Sequence, residues 1–404
     1  MFKRLRWFNV LGPAFVAAVA YVDPGNVAAN LSAGAEYGYL LVWVLVLANV
    51  VAMLIQYESA KLGLVTGKSL PRLVGDSTAT APRLAYWVQA FVVATATDLA
   101  EVIGGAIALN ILFGLPLVWG GVIVGAISMA LLAFQRPGTQ KVFERVILGL
   151  LATIVFGFLG GLVVNPPDAG GVLSGLVPRF ADTHSLLLAS SMIGATIMPH
   201  AIYLHSQLTI DRHGHPKGQR LKDLLHANRV DVVLALLLAG SVNVGLLLLA
   251  ASSLPGKTGT DSIEGAHAAI VEALGPVVGV LFGVGLLASG LASTSVGAYA
   301  GATITQGLLR VEVPLLVLRA ITLIPALLIL GLHVNPTFAL VLSQVALSFG
   351  IPFAMVPLLH FTGKRAYMGD YADSRWVHGL GVLAAGLIVA LNVVLLVLTF
   401  VGAS

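Results

Sequence analysis

Apolar stretches about 20 residues long, enough to cross a bilayer as a helix, recur along almost the whole chain. They fall near 10–33, 40–60, 86–113, 115–134 and 144–164, and again near 185–208, 229–253, 276–306, 315–332, 336–360 and 377–402. The pattern predicts an all-α integral membrane protein of eleven transmembrane helices. Ser, Thr and Gly blur the edges of the stretch 276–306.

Two of these stretches are interrupted. Asp23-Pro24-Gly25-Asn26 breaks the first, and Met198-Pro199-His200 breaks the sixth. Proline and glycine remove or loosen helical hydrogen bonds, so both helices are expected to unwind in mid-membrane. Broken helices in corresponding places of two halves mark the substrate site of a secondary transporter. Five spans precede the second set, so the halves face opposite ways. The chain is expected to be a single transmembrane domain, with an inverted five-helix repeat over 1–165 and 175–361 and an additional helix over 376–404.

Charge supports the count. With the N-terminus cytoplasmic, the inner segments hold Lys3, Arg4, Arg6, Arg72, Arg136, Lys217, Arg310 and Lys364 among others, which is 20 of the 22 basic residues. Only Arg179 and Lys257 fall outside. A wrong number of spans would scramble this asymmetry. The expected location is the inner (plasma) membrane, with the C-terminus outside.

Composition agrees. Hydrophobic residues make up 58% of the chain, charged residues 10%, and mean hydropathy is +0.95, whereas soluble domains carry about 25% charged residues. The net charge of +4 belongs to loops, with no basic stripe interleaved with aromatics, so nucleic acid is not an expected partner. The absence of cysteine excludes disulfides, thiolate metal sites and cysteine catalysis. Lys3, Arg4 and Arg6 ahead of Ala18-Val19-Ala20 imitate a secretory signal, but cleavage there would discard half of a span.

The interruptions carry the chemistry. Asp23 in mid-span must be paired, protonated or bound to a cation, or else it caps the broken helix with Asn26. Met198 either packs or turns into the cavity opened at Pro199. A thioether is a soft ligand that favours transition metals over Na⁺, Mg²⁺ or Ca²⁺. Asp23, Asn26, Met198 and a freed carbonyl around Ala195 would form a mixed oxygen and sulfur site suited to Mn²⁺ or Fe²⁺ and tolerant of Cd²⁺. His200 is either a hydrogen-bonded core histidine, a ligand or a proton carrier. Tyr203 and Gln207 share its helical face.

In the third span, Asp98 and Glu101 of Thr97-Asp98-Leu99-Ala100-Glu101 sit three apart on one face. Two intramembrane carboxylates imply proton binding or an ion pair, for which Arg319 is a candidate partner. Gln344 reads as a helix–helix hydrogen bond. Glu36, Glu58 and Asp231 near span ends read as solvated or capping, and Ser289, Ser293, Thr294 and Ser295 as close helix packing.

These three motifs, in this order across all eleven spans, resemble the Nramp family of proton-coupled divalent metal transporters. The resemblance implies the leucine-transporter-like fold, with discontinuous helices 1 and 6. It implies Asp23, Asn26 and Met198 as metal ligands, joined by the Ala195 carbonyl, sometimes by that of Ala20, and by Gln344 when the site closes. It places His200, Asp98, Glu101 and Arg319 in a network linked to proton movement. The metal is then substrate, no resident cofactor is expected, and the monomer is the functional unit. Two departures stand out: many members carry a longer N-terminal tail, and Leu291 stands where many have glutamine. The rival readings are a sodium- or proton-coupled amino-acid symporter of the same fold, a channel, and an intramembrane aspartyl protease using Asp23 and Asp98.

Overall fold

Proline at the first turn of a helix is tolerated because its missing N–H has no partner there anyway, and the chain uses this at both breaks. In a computed structural model describing residues 12–133, 140–255, 259–260, 262–311, 313–332 and 334–401, the first span runs as Pro13–Val19, a 3₁₀ turn Ala20–Val22, and Pro24–Tyr37. Asp23 between them is extended (φ −77°, ψ 168°). The sixth span is Thr183–Thr196 and Pro199–His213, with Met198 extended at the break (φ −66°, ψ 119°).

The unbroken spans are Val42–Thr66, Thr80–Phe113, Leu117–Ala133 and Gln140–Val164 in the first half. The second half has Gly218–Ser253, Pro276–Leu309, Leu315–Gly331 and Pro336–Thr362, with Arg375–Val401 as the eleventh span. Among the described residues, eight helices are long and apolar enough to cross a membrane, and three shorter apolar ones complete the eleven. Several run past the boundaries expected from hydropathy. The third, at 34 residues, is about 51 Å long, so its polar first turns extend beyond the hydrocarbon. Short helices Leu70–Ser77, Ala169–Ser174, Ile263–Leu274 and Arg365–Met368 occupy loops. No strand occurs among the described residues. Lys3, Arg4, Arg6, Arg136 and Lys257, and the span limits expected at 10, 134 and 402, lie outside the described residues.

The third span packs along the eighth, and the eighth along the fifth. The second half of span one lies on span seven, and the first half of span six on span ten. The broken helices therefore sit inside a wall of spans two, three, seven, eight and ten. Asn392 ties the eleventh span to this wall. It accepts from Ser190 Oγ at 3.1 Å and Ser348 Oγ at 2.9 Å, and donates to the Ser348 carbonyl.

The three acidic residues near span ends divide: Asp231 and Glu36 follow the expectation of capping or solvation, and Glu58 does not. Asp231 is a cap: buried, it accepts from the backbone of Gly12 and Ala14 at the start of span one. Glu58 is not solvated. It is buried and holds Lys61 at 2.5 Å, while Lys61 also binds Asp373 from the link between spans ten and eleven. A lysine one turn away, joined by a partner far along the chain, permits this burial. Glu36 stays on the surface, 2.9 Å from His184.

Candidate metal site

In an uninterrupted helix, residues 24 and 199 would donate to the carbonyls of residues 20 and 195. Both are prolines, so the Ala20 and Ala195 carbonyls are released from the helical ladder at buried positions. The two helix ends preceding the breaks carry partial negative charge, which favours a cation between them.

The other candidates converge there. Asp23 caps Pro24–Tyr37, its Oδ1 accepting from the Asn26 backbone N–H at 2.7 Å and from Asn26 Nδ2 at 2.9 Å. The same Asn26 amide donates to the Ala195 carbonyl at 3.0 Å, joining the two breaks. Gln344 of span ten donates from Nε2 to Asp23 Oδ2 at 3.3 Å. It approaches so closely because Gly25 and Gly194 lack side chains: a Cβ at Gly25 would lie 1.7 Å from Gln344 Nε2, and one at Gly194 2.0 Å from the Gln344 carbonyl oxygen. Met198 occupies the break of span six, fully buried. Asn26 Oδ1 and Gln344 Oε1 have no hydrogen-bond partner among the described residues, although buried oxygens almost always find one. No group of three or more His, Cys, Asp or Glu forms a conventional metal cluster among the described residues. The oxygens gathered here are amide, backbone and a single carboxylate.

A second polar layer lies beside this one. His200 Nδ1 is 3.3 Å from Thr97 Oγ1, whose own proton goes to the Val93 carbonyl at 3.1 Å. The histidine is therefore the donor in this contact, and its Nε2 is left without a partner among the described residues. Asp98 pairs with Arg319 at 2.7 Å, and Arg319 Nε donates to Ser128 Oγ at 3.1 Å. Glu101 shares the face of Asp98. A Cβ at Gly297 would meet Glu101 Oε1 at 3.0 Å and Asp98 Oδ1 at 3.3 Å, so a larger residue there would push both carboxylates aside. Neither Glu101 oxygen has a hydrogen-bond partner among the described residues. The remaining polar-face candidates bond elsewhere: Tyr203 donates to the Phe353 carbonyl and Gln207 to Asp211.

Sequence reasoning missed the groups that hold the first break open. Asn243 donates to the Tyr21 carbonyl at 2.7 Å and accepts from Asn30, while Ser289 donates to the Val22 carbonyl at 2.5 Å. Ser289 is more than packing. Gln56 links the Tyr21 hydroxyl to His205 Nδ1, at 2.5 and 2.8 Å. The available signal was a lone amide inside an apolar span, at Gln56 and at Asn243.

Two half-helices meeting end-on inside a wall of unbroken spans define the leucine-transporter-like class of membrane transporter. MhsT in complex with L-phenylalanine shares this fold at a TM-score of 0.60 and 16% identity, covering 97% of this chain and 98% of that one. Residues 14–398 match the Nramp family, described as natural resistance-associated macrophage protein-like. The divalent metal cation transporter MntH of Mycobacterium tuberculosis is 57% identical over 397 residues, or 98% of this chain and 92% of that one. The manganese transporter of Eremococcus coleocola superposes at a TM-score of 0.87 with 30% identity, covering 98% and 88% of the two chains. The chain belongs to the Nramp family.

Proposed function

We propose that this protein imports divalent transition-metal ions, Mn²⁺ and Fe²⁺ and also Cd²⁺, in symport with protons, by alternating access. The family and the names of its relatives support metal transport in place of enzymatic catalysis. The observation that carries the reading is the Asn26 amide, bonded at once to Asp23 and to the Ala195 carbonyl, with the Asn26 Oδ1 oxygen beside it unpaired among the described residues. An arriving cation replaces these internal hydrogen bonds with metal–oxygen bonds.

In this reading Asp23, Asn26, Met198 and the Ala195 carbonyl ligate the metal. The Ala20 carbonyl and Gln344 complete the shell as the site closes. The Met198 thioether selects against hard cations, which gain little from sulfur. Asp23 holds a proton or a metal, and binding the metal displaces the proton toward His200, Asp98 and Glu101. Arg319 holds Asp98 in place and supplies the countercharge. Metal drawn between the two breaks favours the closed state, and spans one and six then rock within the two repeats, 1–165 and 175–361. An inside-negative potential drives inward movement by about 2.3 kcal/mol per charge per 100 mV. The N-terminus is cytoplasmic, the C-terminus lies outside the plasma membrane, and the monomer is the working unit.

The test is Mn²⁺ uptake into proteoliposomes with simultaneous recording of internal pH. Saturable uptake with internal acidification, lost in Asp23→Ala, is expected. Uptake without acidification removes proton coupling, and full activity of Asp23→Ala removes the site.

A further inference from the structure

A recess lies on the side of span six away from the metal site. It is a groove of about 1040 Å³ between the outer half of span two and the length of span eleven, floored by the first half of span six. Its floor includes Ala189, Ile193 and Ile197, the last adjoining Met198. The lining is apolar except at the outer mouth, where Asp182 and Thr183 sit.

Three observations say what fills it. The lips, including Leu47, Val50, Leu383 and Leu387, are exposed and form part of the bilayer-facing surface, so the groove is continuous with the hydrocarbon. At that depth an apolar recess is filled by lipid chains, because water finds no partners there. The mouth has the chemistry of the membrane interface: Trp43 stacks edge-on against Phe180 at 5.4 Å, and its indole N–H donates to the Arg179 carbonyl at 3.3 Å. Arg179 is exposed and directly precedes Phe180 of the lining, so the chain supplies a cation next to this end of the groove.

We propose that the groove is a binding site for one membrane phospholipid, with its acyl chain along span six as far as Ile197 and its phosphate at Arg179. The chain braces the outer half of the broken helix. A hydrocarbon chain fills the space behind a helix that must move, and it reshapes at less cost than packed side chains, whose displacement leaves voids. The proposal rests on the protein spanning a membrane and not on which ion is carried.

The test counts phospholipid retained by native mass spectrometry after transfer from phosphatidylglycerol nanodiscs into mild detergent. Ala384→Trp fills the groove from span eleven, and Val382→Trp places the same bulk on the exposed side of that helix, outside the lining. Wild type and Val382→Trp are expected to keep one phospholipid, Ala384→Trp to lose it, and Arg179→Gln to keep less. Equal retention in Ala384→Trp and wild type, or none in wild type, overturns the site. If Ala384→Trp does not fold, amide hydrogen exchange of wild type decides. Delipidation should speed exchange at residues 193–197, with phosphatidylglycerol restoring protection, and unchanged exchange overturns the proposal. Neither readout involves metal, so a failed metal reading leaves this test intact.

Discussion

The side-chain amide of Asn26 donates to the carbonyl oxygen of Ala195 at 3.0 Å, so the breaks in the first and sixth spans touch through a hydrogen bond. That carbonyl is available because residue 199 is proline, and the amide is held in place by Asp23 at 2.9 Å. A metal ion drawn to these oxygens is bound by both halves of the molecule at once, which is how ligand binding can bias the position of one half against the other.

Asn26→Ala removes the bridging amide and, in the proposed site, one metal ligand. Mn²⁺ affinity, measured by isothermal titration, is expected to fall at least by the about 10–100-fold that loss of a supporting partner costs a metal site. Unchanged affinity would place the ion elsewhere.

The breaks were legible in the sequence because proline acts locally: Asp23-Pro24 and Met198-Pro199 announce themselves within a few residues, as does the Asp98 and Glu101 face. What supports the breaks was not legible, because the partners are far apart in the chain. Asn243 reaches the Tyr21 carbonyl, Ser289 reaches that of Val22, and Lys61 reaches Asp373. Hydropathy places such residues in a span without saying which neighbour they face. The burial of Glu58 is hidden for the same reason, since it depends on a charge pair closed from span eleven's approach. The Arg319 and Asp98 pair is legible because buried charges of opposite sign must meet, and they do so at 2.7 Å.

Asp98→Asn removes the carboxylate paired with the buried Arg319 guanidinium. Removing one partner of a buried pair costs about 3–5 kcal/mol, so thermal unfolding in detergent should shift strongly downward. Asp98→Leu combined with Arg319→Met should recover most of the stability while leaving the proposed proton-coupled uptake impaired. Stability equal to wild type in Asp98→Asn would mean the pair is not buried in the membrane.

Gly25→Ala and Gly194→Ala separate two kinds of close approach. At Gly25 the new methyl group meets the movable end of Gln344, so the fold should survive while the amide leaves Asp23. At Gly194 it meets the Gln344 backbone, and spans six and ten must separate, an overpacking that costs about 1–3 kcal/mol. Melting temperatures should therefore fall more for Gly194→Ala, while metal affinity changes in both. The reverse order of melting temperatures would contradict this packing.

Asp76 in the loop helix Leu70–Ser77 gathers Lys68 at 2.9 Å, Arg72 at 3.4 Å and Arg310 at 3.4 Å. The hydrogen bond from Lys68, then the charges of all three cations, hold its carboxyl below the usual carboxylate range. The contribution is present above the unfolded value and is lost as pH falls through the lower folded value. The difference in melting temperature between wild type and Asp76→Asn should be constant near neutrality and vanish only in strong acid. High salt should shrink it, because these side chains are partly exposed. A difference that disappears near neutral pH would assign the effect to another group.

In the proposed site the metal is held between Asp23 and Met198. The chain has no cysteine, so any sulfur bound to a metal comes from methionine. X-ray absorption of the Cd²⁺-loaded protein is therefore the most direct measurement. A sulfur atom in the first coordination shell of wild type, replaced by an all-oxygen shell in Met198→Leu, is the predicted result. An all-oxygen shell in wild type, or a sulfur that persists in Met198→Leu, would contradict it.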